Sequence, residues 1–115
     1  MHQFRFRALI ALDAAAHGPG AGHYTSPTHA LTLRAASLST PAHHRLFRAE
    51  ICWGDHHTLK PGDRAVVTIT VADDDAEMFL AAGQRFTIWN GSEIGQGTIS
   101  RQIFRGAGPG SPETI

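Results

Sequence analysis

A single cysteine in 115 residues excludes an internal disulfide, so packing has to hold the fold. One thiol, Cys52, also fits a reducing compartment better than a disulfide-stapled secreted module. No apolar run reaches the roughly 20 residues a membrane-spanning helix needs. The opening Met1 to Arg7 lacks the apolar region of a secretory signal, so the expectation is cytoplasmic residence with no membrane association. Charge of one sign is missing as well: 10 basic and 10 acidic residues give a formal net charge of +0. A strongly basic nucleic-acid-binding domain or a cationic membrane surface would shift that balance, whereas a local basic patch is compatible with it. Long amphipathic helices, which would cover a parallel sheet, are absent too.

What is present is enough apolar material for one core. The chain is 42% hydrophobic and 17% charged, unlike a disordered segment, and its length suits one domain. The expected organisation is a domain over residues 1–105 and a loosely packed, Gly- and Pro-rich tail over 106–115. The 8 histidines mean that moderate acidification would make the protein net positive.

Alternation of apolar and polar residues recurs along the chain. Phe4, Phe6, Ala8 and Ile10 share one face of a strand. A helix from Leu9 to Ala16 is the rival local reading, since alanine favours helices. Glycines and Pro19 between His17 and Gly22 end either element. A second strand is expected over Thr28 to Ala35 and a third over Arg45 to Trp53, with punctuation from Ser37 to Pro41 and a turn at Gly54-Asp55. Pro61-Gly62 suits a type II turn and leads into the β-branched run Arg64 to Val71. Ala76 to Gly83 reads as a short helical turn or an extended connection. Gln84 to Trp89, a hairpin turn at Asn90-Gly91 and a closing strand from Ile94 to Phe104 complete the set, with the closing glycines predicting a bend or bulge. About six short strands favour an all-β antiparallel barrel or sandwich over an α/β fold, and closure into a barrel would remove exposed edges.

Leu59-Lys60-Pro61-Gly62-Asp63 with the strand to Val71, Gly83-Gln84-Arg85-Phe86-Thr87-Ile88, and Ile94-Gly95-Gln96-Gly97-Thr98-Ile99 together resemble the C-terminal third domain of elongation factor Tu. The resemblance is strongest from Leu59 to Ile99 and reaches back loosely to Phe4. It implies a single six-stranded antiparallel barrel of the translation-factor kind, a part of which in that family holds aminoacyl-tRNA and contacts the first domain and the exchange factor. It does not bring the GTPase reaction, because no G-x-x-x-x-G-K-[S/T] phosphate loop occurs here. The hairpin Trp89 to Gly95 departs from the family, carrying Ser92 and Glu93 where basic and polar character is usual, and Glu93 near phosphate is unfavourable. Gly22 to Pro27 matches the family's Gly-x-His-Thr-Pro loop only loosely.

Arg5, Arg7, Arg34, Arg45, Arg48, Arg85, Arg101 and Arg105 would form an RNA-facing stripe if the strands bring several together, and Tyr24, Trp53 or Trp89 would supply stacking or interface rings. The expected partner or RNA surface is Tyr24, Arg34, Arg45, Arg48, Trp53, Arg85, Trp89 and Arg101. Against it stands a plain reading, in which the arginines solvate the exterior and the tryptophans pack in the core. His43-His44 and Cys52 with Asp55-His56-His57 carry zinc-ligand chemistry at a spacing that fits no paired motif. Cys52 with His56 or His57 lacks a visible oxyanion site. Asp73-Asp74-Asp75 and Glu77 lack a calcium loop's periodicity and read as a charged turn. No catalytic residue, metal or cofactor is expected. The functional expectation is a non-catalytic protein-interaction module on a translation-factor-like barrel; the alternative is an RNA-binding accessory domain with part of a tRNA-facing surface.

Overall fold

Alternating side chains become seven antiparallel strands in the computed structural model, which describes residues 3–14, 23–29, 31–40, 42–54 and 58–106, with side chains as far as Arg101. The strands are β1 (Gln3–Leu12), β2 (Thr32–Ala36), β3 (His44–Arg48), β4 (Glu50–Cys52), β5 (Arg64–Ala72), β6 (Arg85–Trp89) and β7 (Glu93–Gly106). They form one sheet in the order β3-β2-β6-β7-β1-β5-β4. β1 lies between β7 and β5 and buries Phe4, Phe6, Ala8, Ile10 and Leu12 on one side, as their spacing predicts, so the rival helix from Leu9 does not form. Across the core stand Leu33, Phe47, Ile51, Val67, Ile69, Phe86, Ile88 and Ile99, all nearly inaccessible to water. Burial of so many aliphatic and aromatic side chains, at roughly 25 cal/mol per Å² of apolar area, is the main force holding a chain without disulfides.

The sheet is not the expected closed six-stranded barrel. It curls through 229° and stops, leaving an open half-barrel whose edges are 7 Å apart. The expected strand from Arg45 to Trp53 is where the two readings part. Its inward positions, Phe47, Ala49, Ile51 and Trp53, alternate without interruption and are all buried. The backbone nevertheless changes partners at Ala49: β3 pairs with β2, and β4 pairs with β5 at the other edge of the sheet. A gap of 7 Å exceeds one strand spacing of about 4.8 Å and falls short of two, so neither a direct ladder nor an inserted strand fits it. Side chains have to seal the seam. The closed barrel expected from the resemblance to elongation factor Tu is thus not the architecture, and the translation-factor-like account of function that rests on it falls with it.

Turns follow their residues with two exceptions. At Lys60-Pro61-Gly62-Asp63 the Asp63 N–H donates to the Lys60 carbonyl at 3.0 Å, and Gly62 has φ 92°, as a type II turn requires. Asn90-Gly91 does turn the β6–β7 hairpin, but only Gly91 (φ 81°) is left-handed, because the connection spans three residues and the pairing shifts at Ile88/Trp89. Gly95 adjoins a bulge, since Ile88 pairs with Gly95 and Trp89 with Glu93 and Ile94 is the extra residue, whereas Gly97 carries none. The register shifts in the β1–β7 ladder fall beyond them, between Arg5 and Phe6 and between Arg7 and Ala8. Ala76–Met78 is a 3₁₀ turn. Residues 107–115, which include nearly all of the expected tail, lie outside the described residues.

Candidate docking surface

All nine arginines of the chain lie on strands. Because each strand turns its apolar positions inward, Arg5, Arg7, Arg34, Arg48, Arg64, Arg85 and Arg101 project from the outer face and are exposed. The acids go elsewhere: Asp13, Asp63, Asp73, Asp74, Asp75 and Glu77 occupy connections and turns, and among the described residues only Glu50 and Glu93 are on strands. A chain of zero net charge thus has a cationic sheet face and acidic loops.

Register builds a groove on that face. Leu9 of β1 stands between Val66 of β5 and Thr98 of β7, and Thr98 pairs with Arg85 of β6. One outward position along, Ala11 stands between Arg64 and Gln96. The small side chains of Ala11 and Thr98 between the long ones of Arg64 and Arg85 leave a depression of about 450 Å³. Leu9 and Val66 are 50% and 57% exposed. A lone exposed leucine is ordinary, whereas here Leu9 lines the depression together with Arg64 and Arg85 and pairs across the ladder with the exposed Val66 beside it, which combines the two residue classes from which interfaces are made. Neither Arg64 nor Arg85 makes an ion pair with another described residue.

The eight residues expected to form a partner surface scatter. Tyr24 is buried, bridges to Leu59 and accepts a hydrogen bond at its Oη from Asn90 Nδ2 at 3.2 Å. Trp53 is buried, and its backbone N–H donates to Ser26 Oγ at 2.9 Å. Trp89 is half-buried and donates from Nε1 to Thr87 Oγ1 at 2.9 Å. The strands therefore present none of these rings as an open stacking platform. Arg45 is held by the acidic turn, donating from Nη1 to Asp75 and from Nη2 to Asp73, both at 2.8 Å, with its guanidinium 5.3 Å from the centre of the Phe47 ring. Arg34 lies between Leu46 and Thr87, Arg48 borders the open seam, and Arg101 faces Arg7 across the β1–β7 ladder. Arg85 alone of the eight lines the groove among the described residues. Leu9, Arg64 and Val66 were missed; the alternation Arg64-x-Val66 opposite Val67 and Ile69 does place both outward, but nothing in the sequence sets them beside Leu9.

The Asp73-Asp75 clamp serves structure. Asp73 Oδ1 also accepts from the Asp75 N–H at 2.9 Å, which fixes the turn that receives Arg45. Replacing Arg45 by methionine is expected to cost about 1 kcal/mol in urea unfolding, and less at high salt, because Arg45 is 38% exposed and the pair is screened.

Strand and turn geometry also separates the ligand-type residues. His43 packs edge-on against Phe79 at 6.0 Å, while the exposed His44 opens β3 opposite Ala36. Among the described residues no group of three His, Cys, Asp or Glu side chains is arranged to hold a metal ion; Asp55, His56 and His57 lie outside them. No helix among the described residues is long and apolar enough to cross a membrane. No family model matches the chain, and no curated protein is detectably similar to it in sequence.

Proposed function

We propose that the domain binds an acidic, partly apolar protein segment in the groove between Arg64 and Arg85. The observation that carries this reading is the juxtaposition of Leu9 and Val66, both at least half exposed, with two guanidinium groups that have no acidic partner among the described residues. Leucine or a similar side chain laid on Leu9 and Val66 would bury apolar area, and carboxylates on either side would meet planar donors suited to bidentate pairing. Buried or half-buried Tyr24, Trp53 and Trp89 favour a polypeptide over a single-stranded nucleic acid, which would call for open aromatic faces along the basic track. In this reading the chain acts by binding, with no chemical step of its own, and the lone thiol Cys52 suits a cytoplasmic setting.

The test is fluorescence anisotropy with a labelled peptide of alternating glutamate and leucine, its lysine-leucine counterpart, and a single-stranded oligonucleotide of similar length. The acidic peptide should bind, and Arg64→Glu with Arg85→Glu should weaken it at least about tenfold, near 1.4 kcal/mol. Equal affinity for the lysine peptide, tighter binding of the oligonucleotide, or indifference to the double substitution would sink the reading.

A further inference from the structure

A bulge in β7 sets two arginines against each other beside the groove. The β1–β7 ladder steps from Ala8 opposite Ile99 to Arg7 opposite Arg101, and Ser100 is the extra residue. Ile99 is buried, so an unbroken strand would turn Arg101, two positions on, toward the core as well. The extra residue turns it outward instead, and Ser100 and Arg101 are both exposed. Ser100 Oγ donates to the Arg7 carbonyl at 2.7 Å, which fastens the bulge to the strand it faces. Bulges re-aim side chains in this way beside functional sites.

The result is two like charges directly opposite one another, an arrangement that destabilises a sheet. Along their row Arg7 has Arg101 on one side and the half-buried Thr68 on the other, and Cys52 of β4 follows Thr68. Glu50, the carboxylate on β4, stands one outward row away, opposite Thr70, with its Oε2 at 3.0 Å from His29 Nε2. Among the described residues neither Arg7 nor Arg101 makes an ion pair. A dianion between the two guanidiniums would remove the repulsion. A carboxylate carries one charge, as does each phosphodiester of a nucleic acid, whereas a phosphate monoester carries close to two near neutral pH and has three acceptor oxygens. Guanidiniums can pair with it bidentately, and Thr68 adds a hydroxyl. The pair is in line with the groove: Arg7 and Leu9 are successive outward positions of β1, roughly 6.8 Å apart, which is also the spacing of side chains on one face of an extended segment.

We infer that the segment bound in the groove is phosphorylated, with a phosphoserine seated between Arg7 and Arg101, two positions from a leucine laid on Leu9. The inference rests on the reading of the groove as a site for an acidic, partly apolar segment and adds a modification to that segment.

Anisotropy with the glutamate-leucine peptide and two derivatives tests it. In these, one internal leucine is replaced by serine or by phosphoserine, so that leucines lie two positions away on both sides. The phosphoserine peptide should bind at least about tenfold tighter than the serine peptide. Arg7→Gln with Arg101→Gln should abolish that gain and leave the affinity for the serine peptide within about twofold of the parent's, which also shows that the variant is folded. Its thermal midpoint should be no lower than the parent's, because a repulsion has been removed. Phosphoserine that adds nothing over serine, a gain that survives the double substitution, or a single-stranded oligonucleotide that binds tighter than the phosphoserine peptide and loses that affinity in the same variant overturns the inference. If the glutamate-leucine peptide binds and the phosphate adds nothing, the phosphoserine inference falls and the acidic-segment reading stands; if no peptide binds, both fall.

Discussion

Gly95→Ala is expected to destabilise the fold by about 3 kcal/mol and to lower the thermal midpoint by roughly 10 °C. A Cβ placed on Gly95 would stand 2.5 Å from the Ala11 carbonyl oxygen and 3.1 Å from the Leu12 Cα. These are backbone atoms of β1, held by ladders to β5 on one side and β7 on the other, and they cannot withdraw without breaking both. Gly97 offers the comparison. Its added Cβ would meet Phe86 Cε1 at 2.8 Å and Ile10 Cγ2 at 2.9 Å, with Phe86 Cζ closer still. Side chains can tilt where a carbonyl cannot, so Gly97→Ala should cost less than Gly95→Ala in thermal or urea unfolding. The reverse order would mean that packing inside the half-barrel is stiffer than its ladders.

Phe47→Ala should cost about 4 kcal/mol and move the urea midpoint down by about 2 M. Phe47 is 2% exposed, meets Phe79 edge-to-face with ring centres 5.4 Å apart, and carries Arg45 over its ring. Its strand, β3, is hydrogen-bonded along one side to β2 and faces the 7 Å gap on the other. Packing stands in for the missing ladder there, so the cavity falls where the backbone can least compensate. Amide exchange should accelerate first in β2 and β3, while β1, paired on both sides, keeps its protection. Phe47→Leu, which retains most of the volume, should lose only about 1 kcal/mol. Uniform loss of protection across all seven strands would show instead that the seam has no separate weakness.

How much of this was legible in the sequence depends on the distance over which each feature is decided. The strand at Arg64 and the turn at Pro61-Gly62 rest on neighbours a few positions away, and both appear where their residues place them. The break at Ala49 was invisible for a definite reason: burial alternates unchanged through Phe47, Ala49 and Ile51 while the hydrogen-bond partner changes. Side-chain periodicity reports which way a residue points and carries no information about which strand lies alongside. The same limit hid the Arg45 clamp, whose carboxylates lie 28 and 30 residues away, and sent Tyr24 and Trp53 into the core instead of onto a partner surface.

The sequence by itself therefore determined an all-β chain, the inward set of β1 and β5, the absence of disulfide support and the balance of charge. Tertiary structure decided that the sheet stops short of closing, that the arginines gather on one face while the acids gather in the loops, and that Leu9 meets Val66 beside the groove lined by Arg64 and Arg85. Local steric preference and alternation act within a few residues and can be read along the chain. Register and closure depend on pairings between residues far apart in it, and the folded sheet supplies them.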